Sequence, residues 1–341
     1  MAMHIERRAL LKSFAAAPVL LSPLAAGCAK HGASSTKAGT LNIGQISNSV
    51  AFFPLFVAEE KGYFKDEGIK LGDRPRLGTG AKVAAALKSG SIDLGAGVLT
   101  DAFNLAESES GTTRVVSSLV TEYYVDIVVG KDFGGPAAKA SLEARTKALV
   151  GRKIGITGPG SGTEALVDHL FEGIGKKAKT DATLVNLGSA ATSAIGALKS
   201  GRVDALSFFQ PIGQQAEADG SGRILISPAR GDVTDMTGAL HGVVFSTQKL
   251  LQKKAKEVKG FQSAIKRAQQ DVQGDPQKVR ELLEKYLKDT DPKALDALVP
   301  ILRREMPQTP AVEREPYETA RRFHLESGLV EKAPEFGDIK A

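Results

Sequence analysis

From residue 41 the chain alternates two patterns of apolar positions: short continuous runs, and longer segments in which apolar residues return every third or fourth place. The runs read as buried strands and the longer segments as helices with one face on a core. Strands are predicted over 41–45, near 69–71 and over 92–96, with helices over 54–61 and 81–88 between them. Pro54 suits the first turn of its helix, where no N–H donor is needed. A second series follows, with strands over 153–157, 183–187 and 203–208 and helices over 163–173 and 192–200. Alternation at this length predicts an α/β fold, each lobe a mostly parallel sheet flanked by helices. Beyond residue 246 the pattern turns helical, and Pro276, Pro292, Pro300 and Pro307 mark predicted helix boundaries.

The two series resemble one another. Residues 86–93 read Ala-Leu-Lys-Ser-Gly-Ser-Ile-Asp and residues 197–204 read Ala-Leu-Lys-Ser-Gly-Arg-Val-Asp, an offset of 111. Ile43-Gly44 and Ile154-Gly155 repeat at the same offset. A helix ending at glycine before a strand explains each copy alone, because glycine takes the left-handed conformation after a helix C-terminus. Several segments sharing one offset call for two lobes of similar topology. The extended segments 123–129 and 242–246 are predicted crossovers between them. On this reading lobe one comprises 41–127 plus 244–341, and lobe two, 128–243, is inserted in it. Ligands of open α/β sheets lie beyond the C-terminal ends of the strands. Two such lobes face each other across a cleft that closes by hinge motion.

Composition narrows the functional classes. At 341 residues and 42% hydrophobic content the chain is long enough for two cores. A net charge of +6 raises the question of nucleic acid. The dense basic stretch at Lys249, Lys253, Lys254, Lys256 and Lys259, however, has no interleaved aromatic residues to stack on bases and reads as a solvated helix face. No nucleic-acid partner is expected. Trp is absent, which removes indole platforms for sugars. The five histidines (His4, His31, His169, His241 and His324) show no metal-ligand spacing, and Cys28 is the single cysteine. Neither a metal, a disulfide nor a cofactor is expected.

Cys28 closes a targeting segment over 1–27. Arg7, Arg8 and Lys12 precede an apolar stretch over 14–26 that is too short to span a bilayer. Ala25-Ala26-Gly27-Cys28 resembles the bacterial lipobox, whose cysteine receives a diacylglycerol, with Ala25 where leucine is usual. Arg7-Arg8-Ala9-Leu10-Leu11-Lys12 resembles the twin-arginine export motif, with Leu10 where phenylalanine is usual; the general secretory route remains the alternative. Residues 28–40 read as a flexible tether from the membrane to the folded body.

The segment Ala58-Glu59-Glu60-Lys61-Gly62-Tyr63-Phe64-Lys65-Asp66-Glu67-Gly68 resembles the Ala-x-x-x-Gly-Tyr-Phe-x-x-Glu-Gly signature of the periplasmic binding proteins for nitrate, sulfonates, taurine and thiamine-pyrimidine precursors. Ser89-Gly90-Ser91-Ile92-Asp93 and Gly160-Ser161 match further features of that family in order over 41–260. The resemblance implies a type II periplasmic-binding fold and a non-enzymatic, monomeric receptor on the periplasmic side of the membrane. Such a receptor hands a small anion, such as a sulfonate, nitrate or carboxylate, to the permease and ATPase subunits of an ABC importer. Enzymes of the same fold that make pyrimidine or menaquinone precursors, and a membrane-tethered sensor, are the alternatives. The export signal and the lack of a histidine cluster speak against the enzymes.

The candidate contacts follow the strands. Gly158-Pro159-Gly160-Ser161-Gly162-Thr163 is neither G-x-G-x-x-G nor a P-loop nor a nucleophile elbow, since Thr163 takes the third glycine place and no Gly-Lys-Ser/Thr follows. What remains is a close approach of backbone N–H groups at a helix N-terminus, fit for an oxyanion, or a tight turn capped by Ser161 or Thr163. Thr79 and Gly80 form the facing feature in the first lobe. Ser47, Asn48 and Ser49 follow the first strand, and Phe52 and Phe53 either wall the cleft or join the core. Ser189, Phe209 and Gln210 follow strands of the second lobe. Thr100 and Asp101 cap a helix or meet ligand. Tyr123 and Tyr124 fall at the hinge, and His241 beside the second crossover touches ligand or takes a hinge or surface role.

Overall fold

The computed structural model describes residues 39–109 and 112–341. The expected signal segment, Cys28 and all but the end of the expected tether lie outside the described residues. The strands are β1 (Thr40–Leu41), β2 (Ile43–Gln45), β3 (Lys70–Leu71), β4 (Leu94–Val98), β5 (Thr113–Val120) and β6 (Val125–Gly130), then β7 (Lys153–Ile156), β8 (Thr183–Asn186), β9 (Ala205–Phe209), β10 (Gly222–Ile226) and β11 (Gly242–Thr247). One sheet has the order β2-β4-β11-β5, the other β8-β7-β9-β6-β10. The first strand breaks at Asn42, so β1 pairs with β3 while β2 pairs with β4. Read across that break, the first sheet becomes β3-β1/β2-β4-β11-β5 and has the same order as the second.

In each sheet only the crossover strand is reversed. β11 lies antiparallel to both β4 and β5, and β6 antiparallel to both β9 and β10, while β2-β4, β7-β8 and β7-β9 are parallel. The reversal follows from connectivity. A crossover enters its sheet from the other lobe, at the end where the other strands leave theirs.

The internal repeat is visible in the pairing register. Ile43 and Gly44 lie opposite Leu94 and Gly95, and Ile154 and Gly155 lie opposite Ala205 and Leu206. Both pairs are shifted by the same 111 residues. The repeated Ser-Gly-x-Ile/Val-Asp segment has a structural task. Gly90 and Gly201 end their helices at φ 72° and 68°, a region that glycine enters at no steric cost. The aspartate then turns back: Asp93 Oδ2 accepts the Asn42 N–H at 2.8 Å, and Asp204 Oδ2 accepts the Lys153 N–H at 2.8 Å. Each carboxylate satisfies a backbone donor at the start of the neighbouring strand, one that would be costly to leave unpaired.

Both sheets are covered on two faces. Along β11, Val244 enters a core with Phe52, Phe53, Phe261, Leu283 and Leu298, while Val243 and Phe245 enter another with Leu99, Phe103 and Tyr317. Along β6, Val125, Ile127 and Val129 join Leu166 and Phe171, while Val128 faces Leu206 and Phe208. This is the period-two alternation of a strand buried on both sides. β5 and β10 escape the pattern-based reading, β5 because Ser117 and Ser118 interrupt its apolar run although both are buried.

Pro276 and Pro292 stand in the first turns of helices Pro276–Tyr286 and Pro292–Glu305, as expected. Pro300 does not mark a boundary; it lies inside helix Pro292–Glu305. It faces solvent there, as does Asp296 one turn earlier, so water can serve the carbonyl that the ring deprives of a donor. The basic stretch is not wholly a solvated face either. Lys254 is buried between helices Gln248–Lys253 and Ala255–Gln273, and its Nζ donates to the Thr40 carbonyl at 2.7 Å. The C-terminal helices touch both lobes. Phe323 packs into the second lobe's core, and the Asp291 N–H donates to Gln215 Oε1 at 2.8 Å. Among the described residues no helix is long and apolar enough to cross a membrane.

Candidate functional site

The C-terminal ends of β2, β4, β7 and β9 and the N-terminal ends of the two crossovers converge on one inner cavity of about 240 Å³. From the first lobe come Ile46 and Ser47 after β2, Gly78, Thr79, Gly80 and Ala81 at the start of helix Gly80–Ser89, and Val98, Asp101 and Asn104 around the start of helix Leu99–Ser108. The second lobe brings Thr157 through Thr163, Ser189 and Phe209. Tyr124, Val125 and His241 close it from the crossovers. The cavity opens into an outer groove of about 900 Å³ that shares Ile46, Ser47, Gly78, Ser189 and Phe209 with it and adds Asn48, Arg76, Ile195, Ile212 and Tyr286.

Two helix starts meet this cavity. Thr79 Oγ1 accepts the Lys82 N–H at 3.3 Å, and Ser161 Oγ accepts the Glu164 N–H at 3.4 Å. Glu164 reaches back with Oε2 to the Gly160 N–H at 2.6 Å, a variant of the capping box. Thr163 Oγ1 accepts the Thr157 N–H at 2.9 Å and lies 2.8 Å from Ser161 Oγ, which fastens the glycine loop to the end of its strand. Capping and cavity lining thus fall on the same residues. The first-turn N–H groups of Gly80 and Ala81, and of Gly162 and Thr163, have no intrahelical acceptor, and the positive ends of both helix dipoles lie at the cavity.

Gly162 is a place of close approach. A Cβ there would lie 3.1 Å from the Tyr123 hydroxyl oxygen and 3.3 Å from His241 Cε1. Tyr123 itself is buried beneath the cavity, and its hydroxyl donates to the Gly162 carbonyl. The His241 ring packs tilted against Tyr123, with 3.9 Å between ring centroids, and meets Tyr124 edge-on at 4.8 Å. It is 1% exposed, which excludes the surface role, and neither ring nitrogen has a hydrogen-bond partner. Burial holds its pKa well below the ordinary histidine value, so the imidazole is neutral and offers one donor and one acceptor. Asp101 Oδ2 accepts the Val98 N–H at 2.9 Å, while desolvation at the cavity pushes its carboxyl up to about 6. Among the described residues no lysine or arginine lines the inner cavity.

Residues 49–279 match the profile of a family described as NMT1/THI5 like. The chain belongs to this family. Several solved structures share the fold at low identity. An alkanesulfonate-binding protein from Xanthomonas axonopodis pv. citri, solved with MOPS bound, is 19% identical with a TM-score of 0.68, over 87% of this chain and 96% of its own. The nitrate-binding protein of Synechocystis is 16% identical with a TM-score of 0.67, over 87% and 83%. A Bordetella bronchiseptica protein reaches 23% and 0.72 over 89% and 94%. No curated protein sequence matches the chain. The periplasmic-binding-protein fold expected from the Gly62–Gly68 signature is the fold of these solved structures.

Of the residues expected at the site, Ser47, Thr79, Gly80, Gly160, Ser161, Gly162, Thr163, Ser189 and Phe209 line the inner cavity, and Asn48 the outer groove. Six others lie elsewhere. Tyr123 is buried beneath the cavity, where His241 and Phe323 pack on it. Phe52 and Phe53 are fully buried in the first lobe's core, drawn there by apolar neighbours on helix Ala255–Gln273 and on helix Pro276–Tyr286. Ser49 is buried and its carbonyl accepts the Tyr286 hydroxyl at 3.0 Å. Thr100 Oγ1 lies 2.7 Å from His324 Nε2, inside the protein. Gln210 is buried and donates from Nε2 to Glu305 Oε1 at 3.0 Å. Asn104 was missed, although it lies one turn beyond Asp101 on the same helix face. Among the described residues no cluster of His, Cys, Asp and Glu has the arrangement of a metal site.

Proposed function

We propose that this protein is an exported receptor that closes its two lobes over one small solute and delivers it to the permease and ATPase of an ABC importer. The observation that carries the reading is the inner cavity itself. Loops from both lobes build it, two helix starts point donors at it, and a buried histidine faces it with both nitrogens unpaired. An enclosed polar group without a partner is rare in proteins and calls for a ligand or water. Solved structural neighbours that bind alkanesulfonate and nitrate support a solute with an oxyanion or comparable oxygen-rich group. They equally support a binding role over a catalytic one. Family membership alone does not, since enzymes share the family, and a monomeric state is part of the same proposal.

A thermal-shift screen of sulfonates, carboxylates and nitrate tests the reading. A solute present at a hundred times its Kd adds about 2.7 kcal/mol to stability, so at least one class is expected to raise Tm by several degrees. Unchanged melting with every class would count against it.

Attachment to the periplasmic side of the membrane through Cys28 belongs to the same proposal and rests on the Ala25-Ala26-Gly27-Cys28 segment. Cells fed radiolabelled palmitate should label the wild-type protein and not Cys28→Ser. Equal labelling of the two would rule out the anchor and leave the binding role standing.

A further inference from the structure

The lysine-rich stretch over 249–259 has no part in the cavity. Gly242 of β11 lies opposite Val98 at the cavity, and Thr247, where the strand ends, lies opposite Thr113 at the far end of the sheet. Helix Gln248–Lys253 and the start of helix Ala255–Gln273 therefore cover the end of the first lobe away from the cavity. The chain enters the fold at the same place. The Gly39 N–H donates to Glu257 Oε1 at 2.8 Å, and Lys254 reaches across to the Thr40 carbonyl. Cys28 precedes Gly39 by eleven residues, a span of at most about 40 Å.

From 248 to 266 six lysines stand against one glutamate, and that glutamate accepts the Gly39 N–H. Lys249 and Lys253 share a face of their helix, as do Lys256 and Lys259 of theirs. All four are exposed, and among the described residues none of them makes a salt bridge. Local structure gains nothing from the arrangement. Like charges one turn apart repel, and Lys256 stands in the first turn of a 19-residue helix, at the positive end of its dipole. An anionic surface in front of the cluster would relieve both repulsions.

Resting on the proposed anchor at Cys28, we propose that this end of the first lobe lies on the anionic phospholipid surface to which the chain is tied, with Lys249, Lys253, Lys256 and Lys259 against the headgroup phosphates. A lysine beside such a surface strengthens attachment about fivefold. The short tether keeps the cluster close to the bilayer, so a modest attraction is enough to hold it there. The contact leaves the cavity uncovered, because the two lie at opposite ends of the first sheet.

Sedimentation with vesicles reads the contact apart from the anchor when every protein carries Cys28→Ser and so takes no lipid. Binding to vesicles containing phosphatidylglycerol is compared with binding to phosphatidylcholine alone. Changing Lys249, Lys253, Lys256 and Lys259 together to glutamine is expected to lower that preference at least ~30-fold. Changing the exposed Lys131, Lys139, Lys177 and Lys179 of the second lobe removes the same charge and should cost far less. High salt should weaken the preference by screening the exposed charges. Arg7, Arg8 and Lys12 are common to all the proteins, so the difference between them reads the cluster. Amine acetylation of the unsubstituted cluster gives a second reading: phosphatidylglycerol vesicles should slow reaction at its four lysines and leave Lys139 unchanged. An undiminished preference in the first variant, an equal loss in the second, or four lysines that acetylate at the same rate on both vesicles overturns the proposal. Palmitate labelling of the wild type reads the anchor separately, so a labelled protein without the lysine-dependent preference would keep its anchor and lose this contact.

Discussion

Replacing Gly162 by leucine is expected to weaken solute binding by at least ~100-fold, about 2.7 kcal/mol, while the fold survives. The residue begins helix Gly162–Glu172 and lines the inner cavity. Even a methyl group there would stand 3.1 Å from the Tyr123 hydroxyl and 3.3 Å from the His241 ring. Neither can retreat easily, because Tyr123 and His241 pack against each other and Tyr123 also packs on Phe323. A leucine must therefore push into the cavity or displace the histidine, and both outcomes remove the place of the solute. Overpacking of this kind costs roughly 1–3 kcal/mol of stability. Gly337→Leu is the control, since Gly337 is exposed with nothing near its Cβ position. Calorimetry with the solute returned by the thermal-shift screen reads the effect. Wild-type affinity in Gly162→Leu would show that the solute binds somewhere else.

Stability is expected to fall, not rise, as pH goes from 6.5 to 8. Two carboxyl groups inside the protein are responsible. Glu305 is buried with Oε2 unpaired and is pushed up to about 8, and Asp126 is buried with Oδ1 unpaired and is pushed up to about 7. Desolvation is the main cause at both; at Glu305 the nearby Asp126 and Glu122 add to it, and at Asp126 Glu217 does. Between the ordinary carboxyl value and these raised values the folded state holds protons that the unfolded chain has released. Such protons make stability decline with pH by about 1.4 kcal/mol per unit per proton. His241 and His324, both held below the ordinary value, are neutral folded, while the unfolded chain is about half protonated at each at pH 6.5, so together they offset about 0.8 kcal/mol of the loss. The sum is a loss of about 2 kcal/mol from pH 6.5 to 8. Glu305→Gln keeps an acceptor for Gln210 and removes the larger share. Urea unfolding at each pH should give a flatter profile for the variant and greater stability than wild type at pH 8. A wild-type profile that is flat or rises over this range would contradict the account.

The sequence carried the fold more fully than the site. The 111-residue offset could be read because both the Ser-Gly-x-Ile/Val-Asp latches and the strand pairs they fasten repeat at one spacing. The helix starts at Thr79 and Ser161 were legible for a similar reason: a cap must stand at a fixed place in the chain, and loops after parallel strands lead to the cleft. Burial was not legible in that way. Phe52 and Phe53 lie a few residues from the cleft in sequence, and only the helices that arrive from beyond residue 250 place them inside the core. Thr100 and Gln210 have polar side chains that suit a cleft, yet their partners are His324 and Glu305, more than ninety residues away. His241 is the converse. Nothing in its local sequence separates a hinge histidine from one that faces the solute, and the distinction comes from Tyr123, Tyr124 and Gly162 closing around its ring.

The central claim is that the cavity between the lobes holds one small solute. The protein can be equilibrated with a small-molecule extract of the cells that make it, freed of unbound compounds by gel filtration, and weighed by mass spectrometry under native conditions. The account predicts one added small-molecule mass per protein chain in the wild type and none in Gly162→Leu. A wild-type protein that emerges without any added mass, or a variant that retains it, would contradict the account.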